Sequence, residues 1–549
     1  MTIGSTSSAK ENSPEWIHWL IPSIADLIFV AMLGLLLYTQ LSVRLLGDAG
    51  IGWHIRTGQL MLATHAIPHV DPFSSSMAGQ PWFAWEWLYD LKVGWLDRAA
   101  GLNAVVLWTA LIIALTFSWI FGLLLRRGTN LFVALTLVLL AASASMIHFL
   151  ARPHVVSWLF SLMWFWILDS SERNQTISPG EARLHRRLLW LLPLLMLVWV
   201  NFHGGFLLGF VLLGIYWLSA LWQWVRARGD RFDAVLQQIK AGRRARDLAI
   251  VGAISLLATF INPYGWNLHT HIYRYLSNPF LMDHIDEFQS PNFHGVAQKC
   301  FAVLLLLALV ALAARRPAVG QFRPSAALLV LFAVYSGLYA SRNIPVSALL
   351  LILVIGPSLS TALETISEIF VKRRTVTDAH SSSNFLPRMQ AVDSSLRGHL
   401  WPIAATIVSF WIAFHGGKLG AVPLMDAHFD AQRFPVAAVD YLEKDFAEKH
   451  TIQGPVFAPD SWGGYLIYRL YPQTKVAVDD RHDFYGEEFL KSYLKMIHIG
   501  PGWRDFLREQ NPRYVLMPKD SALANILRET PEWRLIYSDD VAAVFASGS

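Results

Sequence analysis

Apolar runs separated by short polar segments fill the chain between residues 20 and 416. About eleven of these runs are long enough, or nearly so, to cross a bilayer, although several are shorter than the ~20 residues of a full crossing. They lie near residues 20–46, 104–125, 131–149, 154–169, 188–202, 205–225, 247–262, 300–314, 325–341, 344–362 and 400–416. The pattern predicts a polytopic α-helical membrane protein with about 11 transmembrane helices.

The segment after residue 420 has a different pattern, in which short β-rich runs alternate with helical ones. We predict strands at 456–458, 475–478, 514–517, 533–537 and 541–545, and helices at 464–470, 487–496 and 521–528. This alternation is typical of a small α/β domain, predicted at residues 420–549. An acidic run, Asp479 to Asp483, follows one strand at a location that often binds ligands. For Asp483 itself we prefer helix capping and surface charge.

Composition and charge give the chain an orientation. Hydrophobic residues make up 54% of the chain and charged residues 15%, whereas soluble domains have about 25% charged residues. The net charge of +5 does not indicate nucleic-acid binding, because the cations lie mainly in alternate loops between apolar runs. The basic loops lie at 126–127, 183–187, 226–246, 315–323 and 372–397. By the positive-inside rule these loops face the cytoplasm.

The same rule assigns a side to every other segment. The N-terminal tail at 1–19 and a linker at 363–399 are predicted to be cytoplasmic, and the chain is predicted to be a multi-pass protein of the inner (cytoplasmic) membrane. A long first outer loop at 48–102 and the α/β domain at 420–549 are then predicted to lie outside.

The first outer loop begins with an unusual group of charged and polar residues. Asp48, His54 and Arg56 fall within nine residues where an apolar run ends, and Asp71 and Glu86 follow in the same loop. A charge near a membrane is costly unless it is solvated or paired. Asp48 alone could be a solvated carboxylate at a helix end. A carboxylate held beside a cation can also act as a general base, and this cluster favours that interpretation.

Polar residues also occur in every other predicted outer loop. Each alone is most often a helix cap or an interfacial anchor, but together they could line one outward-facing cavity. They are Arg152, His154, His203, Tyr264, Glu287 and Arg342. Arg152 and Arg342 are the candidates for binding a phosphate, because a guanidinium matches phosphate oxygens in a bidentate manner.

The motifs of common cofactors are absent from the sequence. No G-x-G-x-x-G or P-loop fingerprint occurs. His65, His69 and His203 could join Asp48 at a metal, but their spacing matches no compact zinc motif, which argues against zinc. A divalent cation, Mg²⁺ or Mn²⁺, bridging carboxylates and a phosphate is left open.

The first outer loop resembles that of the membrane glycosyltransferases of the GT-C superfamily. This superfamily includes protein mannosyltransferases, aminoarabinose transferases of lipid A and oligosaccharyltransferase catalytic subunits. Its members have an acidic residue just after the first span, where Asp48 stands. Residues Gly58, Ile67-Pro68, Asp71-Pro72 and Gly79-Gln80-Pro81 resemble the mannosyl- and aminoarabinosyl-transferase loop. The plan of spans followed by an external α/β domain is more similar to oligosaccharyltransferase.

The chain also departs from the oligosaccharyltransferase pattern. Those enzymes carry Trp-Trp-Asp in the external domain, and the nearest match here is Trp462-Gly463-Gly464, which lacks the acid. Recognition of an Asn-x-Ser/Thr acceptor therefore does not transfer to this chain.

The resemblance implies transfer of a sugar from a polyprenyl-phosphate donor to an acceptor glycan, lipid or protein. Nucleotide sugars are made in the cytoplasm, so an outward-facing site needs a donor already carried across the membrane. Asp48 would act as the general base, and a single carboxylate base implies inversion. Two alternatives stay open: a transporter or flippase of lipid-linked saccharide, and a non-catalytic envelope-assembly subunit.

Overall fold

The chain folds into a helical bundle followed by an α/β region. The computed structural model describes residues 17–173, 179–229, 231–313, 323–371, 389–393, 396, 398–449 and 454–548. The bundle contains α1 (Ile17–Leu20), α2 (Ile24–Tyr38), α3 (Leu41–Leu45), α4 (Gly50–Thr64), α5 (Trp87–Arg126), α6 (Leu131–Ser145), α7 (His154–Arg173), α8 (Pro179–Leu188), α9 (Leu192–Phe202), α10 (Leu207–Arg226), α11 (Phe232–Ala258), α12 (Trp266–Leu276), α13 (Pro279–His284), α14 (Val296–Ala313), α15 (Pro324–Tyr339), α16 (Ile344–Val371) and α17 (Leu400–Phe414).

Six helical segments are long and apolar enough to cross a membrane among the described residues. They lie at Trp87–Arg126, Leu131–His148, Arg183–Phe202, Gly204–Arg226, Val296–Ala313 and Ser341–Ile366. Shorter apolar helices lie at Ile24–Tyr38, Pro324–Tyr339 and Leu400–Phe414. The prediction of a polytopic helical protein is confirmed, whereas the number of crossings and their orientation stay predictions.

The first outer loop is more ordered than its polar sequence suggests, because α4 occupies its first part. We call the chain after residue 417 the tail. One side of α4 packs on α5, and another side packs on helix Asp460–Leu470 of the tail. Contact on both sides explains why its helical period is hard to recognise in the sequence. Helix α5 starts inside the predicted loop and is interrupted at Ala100 and Gly101, where Gly101 has a φ of 64°. Glycine adopts that conformation without a steric cost.

The tail forms a mixed four-stranded sheet with helices packed around it. The sheet contains β3 (Val456–Phe457), β4 (Tyr514–Pro518), β6 (Ala542–Ser547) and β5 (Trp533–Ser538) in that order. Strands β3 and β4 are parallel, and the other pairs are antiparallel. Its helices are α18 (Val436–Lys449), α19 (Asp460–Leu470), α20 (His482–Ile497), α21 (Trp503–Gln510) and α22 (Ala522–Glu529), and a hairpin of β1 (Lys418–Leu419) and β2 (Val422–Pro423) precedes them.

The first outer loop extends the sheet of the tail. Val476 bridges Val456 in parallel, and Ser74 of the loop bridges Val476 in turn. The Ser75 amide donates to the Val476 carbonyl at 2.8 Å. The predicted strand at 475–478 is therefore reduced to single bridges, and the loop pairs with what would otherwise be an open sheet edge.

Two predicted cytoplasmic segments fall largely outside the described residues. Residues 1–16 of the N-terminal tail and 372–388 of the linker lie outside them. At the near side of the linker, α16 continues to Val371, beyond the predicted end of its span at 362. Similarly, α11 starts at Phe232, so part of the basic loop before the seventh predicted span is helical.

Candidate active site

Asp48, Arg152 and Asp480 meet where the bundle contacts the tail. Arg152 Nη1 donates to Asp48 Oδ1 at 3.0 Å and to Asp480 Oδ2 at 2.8 Å. These residues precede α4, α7 and α20 respectively, so one guanidinium connects the first outer loop, a turn of the bundle and the tail. We call this arrangement the arginine bridge.

Neighbouring groups fix both carboxylates of the arginine bridge. The Gly50 amide donates to Asp48 Oδ1 at 2.8 Å, and Trp53 Nε1 donates to Asp480 Oδ1 at 3.0 Å. A Cβ atom at Gly50 would overlap the Arg152 guanidinium and the Asp480 carboxylate. Glycine is therefore required at this position by the close approach of the bridge.

The environment of Asp480 changes its acidity. Burial raises the pKa of the Asp480 carboxyl to about 6; the positive charge of Arg152 opposes that rise, and the negative charge of Asp48 adds to it. A carboxyl with this pKa is mostly ionised at neutral pH and becomes protonated in mild acid.

Glu86 lies between two imidazoles on the same side of the molecule. Its Oε2 atom is 3.8 Å from His54 Nε2, and its Oε1 atom is 3.6 Å from His203 Nε2. His54 is fully buried, stacks on Trp53 with ring centroids 3.6 Å apart, and contacts Asp90 through Nδ1 at 2.5 Å. His54 therefore stands behind Glu86 and does not itself line the cavity described below.

Arg342 forms the second cationic position of the site. Its Nη1 atom is 3.4 Å from Glu287 Oε1, and its guanidinium lies over the Phe288 ring at 4.4 Å. The side chain remains partly exposed, so a ligand can still reach the guanidinium.

These groups surround a polar cavity of about 220 Å³. Seven of the predicted site residues line this polar cavity: Asp48, Glu86, Arg152, His154, His203, Glu287 and Arg342. A second, larger cavity of about 470 Å³ adjoins it, which we call the apolar groove. Apolar side chains of α10, α12, α15 and α16 contribute to its wall, and these include Leu207, Leu208, Val211, Ile272, Phe332 and Val346.

The polar cavity and the apolar groove share part of their walls. The shared residues are Trp85, His148, His154, His203, Tyr275, Glu287 and Arg342. The combined space is polar and charged at one end and apolar at the other, which suits an amphiphilic ligand with an anionic head.

Four predicted site residues lie outside the cavity wall: His54, which stands behind Glu86, and Arg56, Asp71 and Tyr264. Arg56 donates through Nε to the Tyr468 carbonyl at 2.7 Å and so holds α4 against the tail. Asp71 is buried and accepts from Arg481 Nη1 at 2.8 Å. The hydroxyl of Tyr264 accepts from the Ala84 amide at 2.8 Å and supports the loop before Glu86. Their contacts in this structure hold loops and the tail in place.

The tail contributes residues that the sequence indicated as a ligand-binding run but did not connect with the site around Asp48. Asp480, Arg481, His482 and Asp483 all line the polar cavity. Asp483 accepts from His271 at 2.9 Å and is largely buried, which differs from the surface position expected for it. The signal in the sequence was the location of this acidic run after a strand, but its approach to Asp48 depends on the tertiary fold.

Arg481 connects the first outer loop to the tail at the edge of the cavity. Besides Asp71 it contacts Asp479, with Nη2 2.7 Å from Oδ2, and it lies 4.6 Å from the Trp82 ring centroid. A buried cation needs such paired carboxylates and ring faces to offset its lost hydration.

The donor set of the site does not fit a divalent cation. The two neighbouring carboxylates, Asp48 and Asp480, already share the Nη1 atom of Arg152 between them. Within the part of the chain that the structure describes, no three His, Cys, Asp or Glu side chains form a group that could hold a metal. Magnesium and manganese need several oxygen ligands around one point, whereas this point is occupied by a guanidinium nitrogen.

Solved structures with a similar fold cover nearly the whole chain. The apo crystal structure of the Archaeoglobus fulgidus oligosaccharyltransferase matches with a TM-score of 0.56 and 11% identity, covering 99% of this chain and 75% of that chain. The oligosaccharyltransferase AglB of the same organism, in complex with an inhibitory peptide and a dolichol-phosphate, also matches with a TM-score of 0.56 and 11% identity, covering 96% and 74%.

ArnT from Cupriavidus metallidurans bound to undecaprenyl phosphate matches with a TM-score of 0.48 and 14% identity, covering 96% of this chain and 97% of that chain. No family model and no curated protein matches the chain. The two comparisons with a TM-score of 0.56 show that the chain shares the fold of the Archaeoglobus fulgidus oligosaccharyltransferase, which agrees with the resemblance found in its sequence. At 11% identity they show the fold alone.

Proposed function

We propose that this chain is a membrane glycosyltransferase that moves a sugar from a polyprenyl-phosphate donor to an acceptor at the predicted outer face. The observation that carries the proposal is the continuity of the polar cavity with the apolar groove. A lipid-linked sugar has the same division, with a polar sugar phosphate at one end and a hydrocarbon chain at the other. The presence of dolichol-phosphate in the AglB complex is consistent with such a ligand.

Arg342 is the first candidate for binding the donor phosphate. It lines both the polar cavity and the apolar groove, so its guanidinium lies at the boundary where the phosphate of a lipid-linked sugar would lie. Arg152 is the second candidate. Of its three guanidinium nitrogens, only Nη1 forms hydrogen bonds with the described residues. The other two can therefore approach a phosphate oxygen from the cavity.

Asp48 is the proposed general base. Its Oδ1 atom accepts from Arg152 and Gly50, while Oδ2 has no hydrogen-bond partner among the described residues. The side chain is 34% exposed, so an acceptor hydroxyl can reach it. Asp48 would take the hydroxyl proton as the acceptor oxygen forms a bond to the anomeric carbon. The bond from that carbon to the phosphate oxygen breaks, and its electron pair leaves with the phosphate. The configuration at the anomeric carbon is thereby inverted.

A transfer assay tests this function. Purified protein in lipid is given a panel of polyprenyl-phosphate sugars with cell-envelope extract as acceptor, and released polyprenyl phosphate and transferred sugar are measured. Asp48→Asn should reduce the rate by about 10²- to 10⁴-fold, the usual contribution of a general base. Asp426→Asn is the matched control, because that side chain is 86% exposed and its one ion pair among the described residues is with His428. A chelator should leave the rate unchanged if Arg152 supplies the cation.

Two outcomes would contradict the proposed function, and a third would reject only the role of Asp48. Absence of release with every donor would remove the glycosyltransferase assignment. Movement of intact donor between leaflets without release would indicate a flippase. Full turnover by Asp48→Asn would leave the activity in place but reject Asp48 as the base.

A further inference from the structure

Glu86 is a cavity residue that the proposed base and phosphate sites do not use. It precedes the first residue of α5, and its carboxyl group lies between the Nε2 atoms of His54 and His203. Its side chain is 12% exposed, and it contributes to the wall of the polar cavity. Its protonation therefore affects any ligand held there.

Hydrogen bonds fix the tautomer of His203. The Gly205 amide donates to His203 Nδ1 at 3.1 Å, so that nitrogen carries no proton. Ser157 Oγ is 2.7 Å from the same nitrogen and receives a hydrogen bond from Trp199 Nε1 at 2.7 Å, which leaves the serine proton to point at His203. A neutral His203 must therefore carry its proton on Nε2, facing Glu86 Oε1.

His54 has the opposite arrangement. Its Nδ1 atom contacts Asp90 Oδ1 at 2.5 Å, which places a proton between those two atoms. Its buried Nε2 atom has no hydrogen-bond partner among the described residues, and Glu86 Oε2 is 3.8 Å from it. Burial, followed by the charge of Arg152, holds the pKa of His54 well below its usual value. We assign the proton of the contact with Asp90 to Nδ1; because a neutral imidazole carries only one proton, Nε2 is then an unprotonated acceptor facing Glu86.

We propose that Glu86, held between His203 and His54, is protonated and gives its proton to the departing phosphate. This role rests on the proposed function. His203 Nε2 would donate to Glu86 Oε1, while Glu86 Oε2 would donate to His54 Nε2 until a donor phosphate enters the polar cavity. Small side-chain movements would shorten the 3.6 and 3.8 Å separations to hydrogen-bond length.

The electrostatic surroundings agree with a neutral Glu86. Burial raises the pKa of Glu86 to about 8. Arg152 and Arg342 lower that pKa by their positive charges, whereas Asp483 and Glu287 raise it. The other titratable neighbours include the imidazoles of His54 and His203 and the carboxyl group of Asp90, which contacts His54 and also lines the polar cavity. Glu86 is therefore mostly protonated below pH 8 and ionised above it.

The proton balances the charge that forms in the reaction. The donor phosphate carries one negative charge while it is bonded to the sugar and the lipid. When the bond from the anomeric carbon breaks, the electron pair stays on oxygen and a second charge forms. The Glu86 proton on that oxygen lets polyprenyl phosphate leave as a monoanion, which is less costly beside the apolar groove. Asp48 gains the acceptor proton. Afterwards Asp48 loses this proton to solvent and Glu86 takes one up, which restores the starting state of both groups.

The substitution Glu86→Gln tests the proposal, because glutamine keeps both hydrogen-bonding partners but cannot release a proton. We expect kcat to fall about 10²- to 10⁴-fold while KM for the donor changes little. Wild-type kcat should fall as the pH rises through about 8, and this alkaline decrease should be absent from the residual activity of Glu86→Gln. Glu443→Gln is the control, because Glu443 pairs with Arg469 away from the cavity.

Infrared difference spectroscopy gives a second reading that does not depend on turnover. Wild-type protein should show the carbonyl band of a protonated carboxyl group at neutral pH, the band should disappear above pH 8, and Glu86→Gln should lack it. Full activity of Glu86→Gln with an unchanged pH profile would overturn this inference and leave the proposed function intact. A wild-type protein that releases no polyprenyl phosphate from any donor would overturn both.

Discussion

At the scale of single residues, the charge of Asp480 controls how firmly Arg152 is held. Arg152 Nη1 lies 2.8 Å from Asp480 and 3.0 Å from Asp48. If Asp480 is protonated, its attraction for the guanidinium weakens and Arg152 is held by Asp48 alone. The position of Arg152, and with it the orientation of the proposed base, should therefore depend on pH.

This dependence predicts an acidic limit to activity. The pKa of Asp480 is about 6, so kcat/KM should be maintained above that pH and should fall as the pH decreases through it. Asp480→Asn should lose about 10- to 150-fold in rate, equivalent to a charged hydrogen bond of about 1.5–3 kcal/mol. The decrease centred near pH 6 should also be absent from that variant. Measuring kcat/KM from pH 5 to 9 for the wild type, for Asp480→Asn and for the control Asp426→Asn tests this prediction. The same acidic limit in Asp480→Asn would assign it to another group.

Sequence reasoning reached one half of this bridge and missed the other. Asp48 and Arg152 stand beside apolar runs, where a charged residue is conspicuous. Asp480 stands in a soluble segment, where an acidic residue is ordinary, and it lies 328 positions from Arg152. The pairing depends on how the tail docks, and no local period in the sequence encodes that.

At the scale of elements, the docking of α4 on α19 depends on glycine. The backbone carbonyl of Gly464 in α19 faces Gly52 in α4 so closely that a Cβ atom at Gly52 would overlap it. Because Asp48 lies just before α4 and Asp480 lies beyond α19, this contact sets the separation of the two carboxylates. The Trp462-Gly463-Gly464 stretch thus has a packing role in this fold.

A methyl group at this contact should loosen the tail. Gly52→Ala should lower the free energy of unfolding by about 1–3 kcal/mol, the usual cost of overpacking, even though alanine favours a helix by about 1 kcal/mol. Gly122→Ala is the matched control: Gly122 lies in α5, and no atom of the described residues outside its own helix backbone lies within 4 Å of the point where a Cβ atom would stand. Thermal unfolding in detergent measures both variants. Equal transition temperatures for the two would mean that the contact does not carry the docking.

The sequence predicted helices in the bundle better than it predicted the first outer loop. The apolar runs of the bundle coincide with helices because a membrane span must satisfy its own backbone hydrogen bonds. Helix α4 was expected to be polar loop, since its sequence mixes Gly50, Trp53 and Arg56 with apolar positions. Its order comes from burial between α5 and the tail, a tertiary effect.

At the scale of the whole molecule, the site is assembled from segments far apart in the chain. Turns of the bundle supply Arg152, His203 and Arg342, the first outer loop supplies Asp48, and the tail closes the polar cavity with Asp480. The sequence could predict that the polar turns share one side, because the spans alternate in direction. It could not predict the apolar groove, because the groove is a gap between α10, α12, α15 and α16 that depends on how these helices pack.

The apolar groove makes a prediction about the length of the donor lipid. Val211 of α10 lines the groove, whereas Leu218 of the same helix does not line it and is 50% exposed. A tryptophan at Val211 would displace two or three lipid CH₂ groups, each contributing about 0.8 kcal/mol. Val211→Trp should therefore raise KM for a long polyprenyl donor about 10- to 60-fold, and Leu218→Trp should not. A short-chain donor that does not reach Val211 should bind both variants equally. Equal KM values of the two variants for the long donor would show that the lipid binds elsewhere, and the groove would then no longer support a lipid-linked substrate.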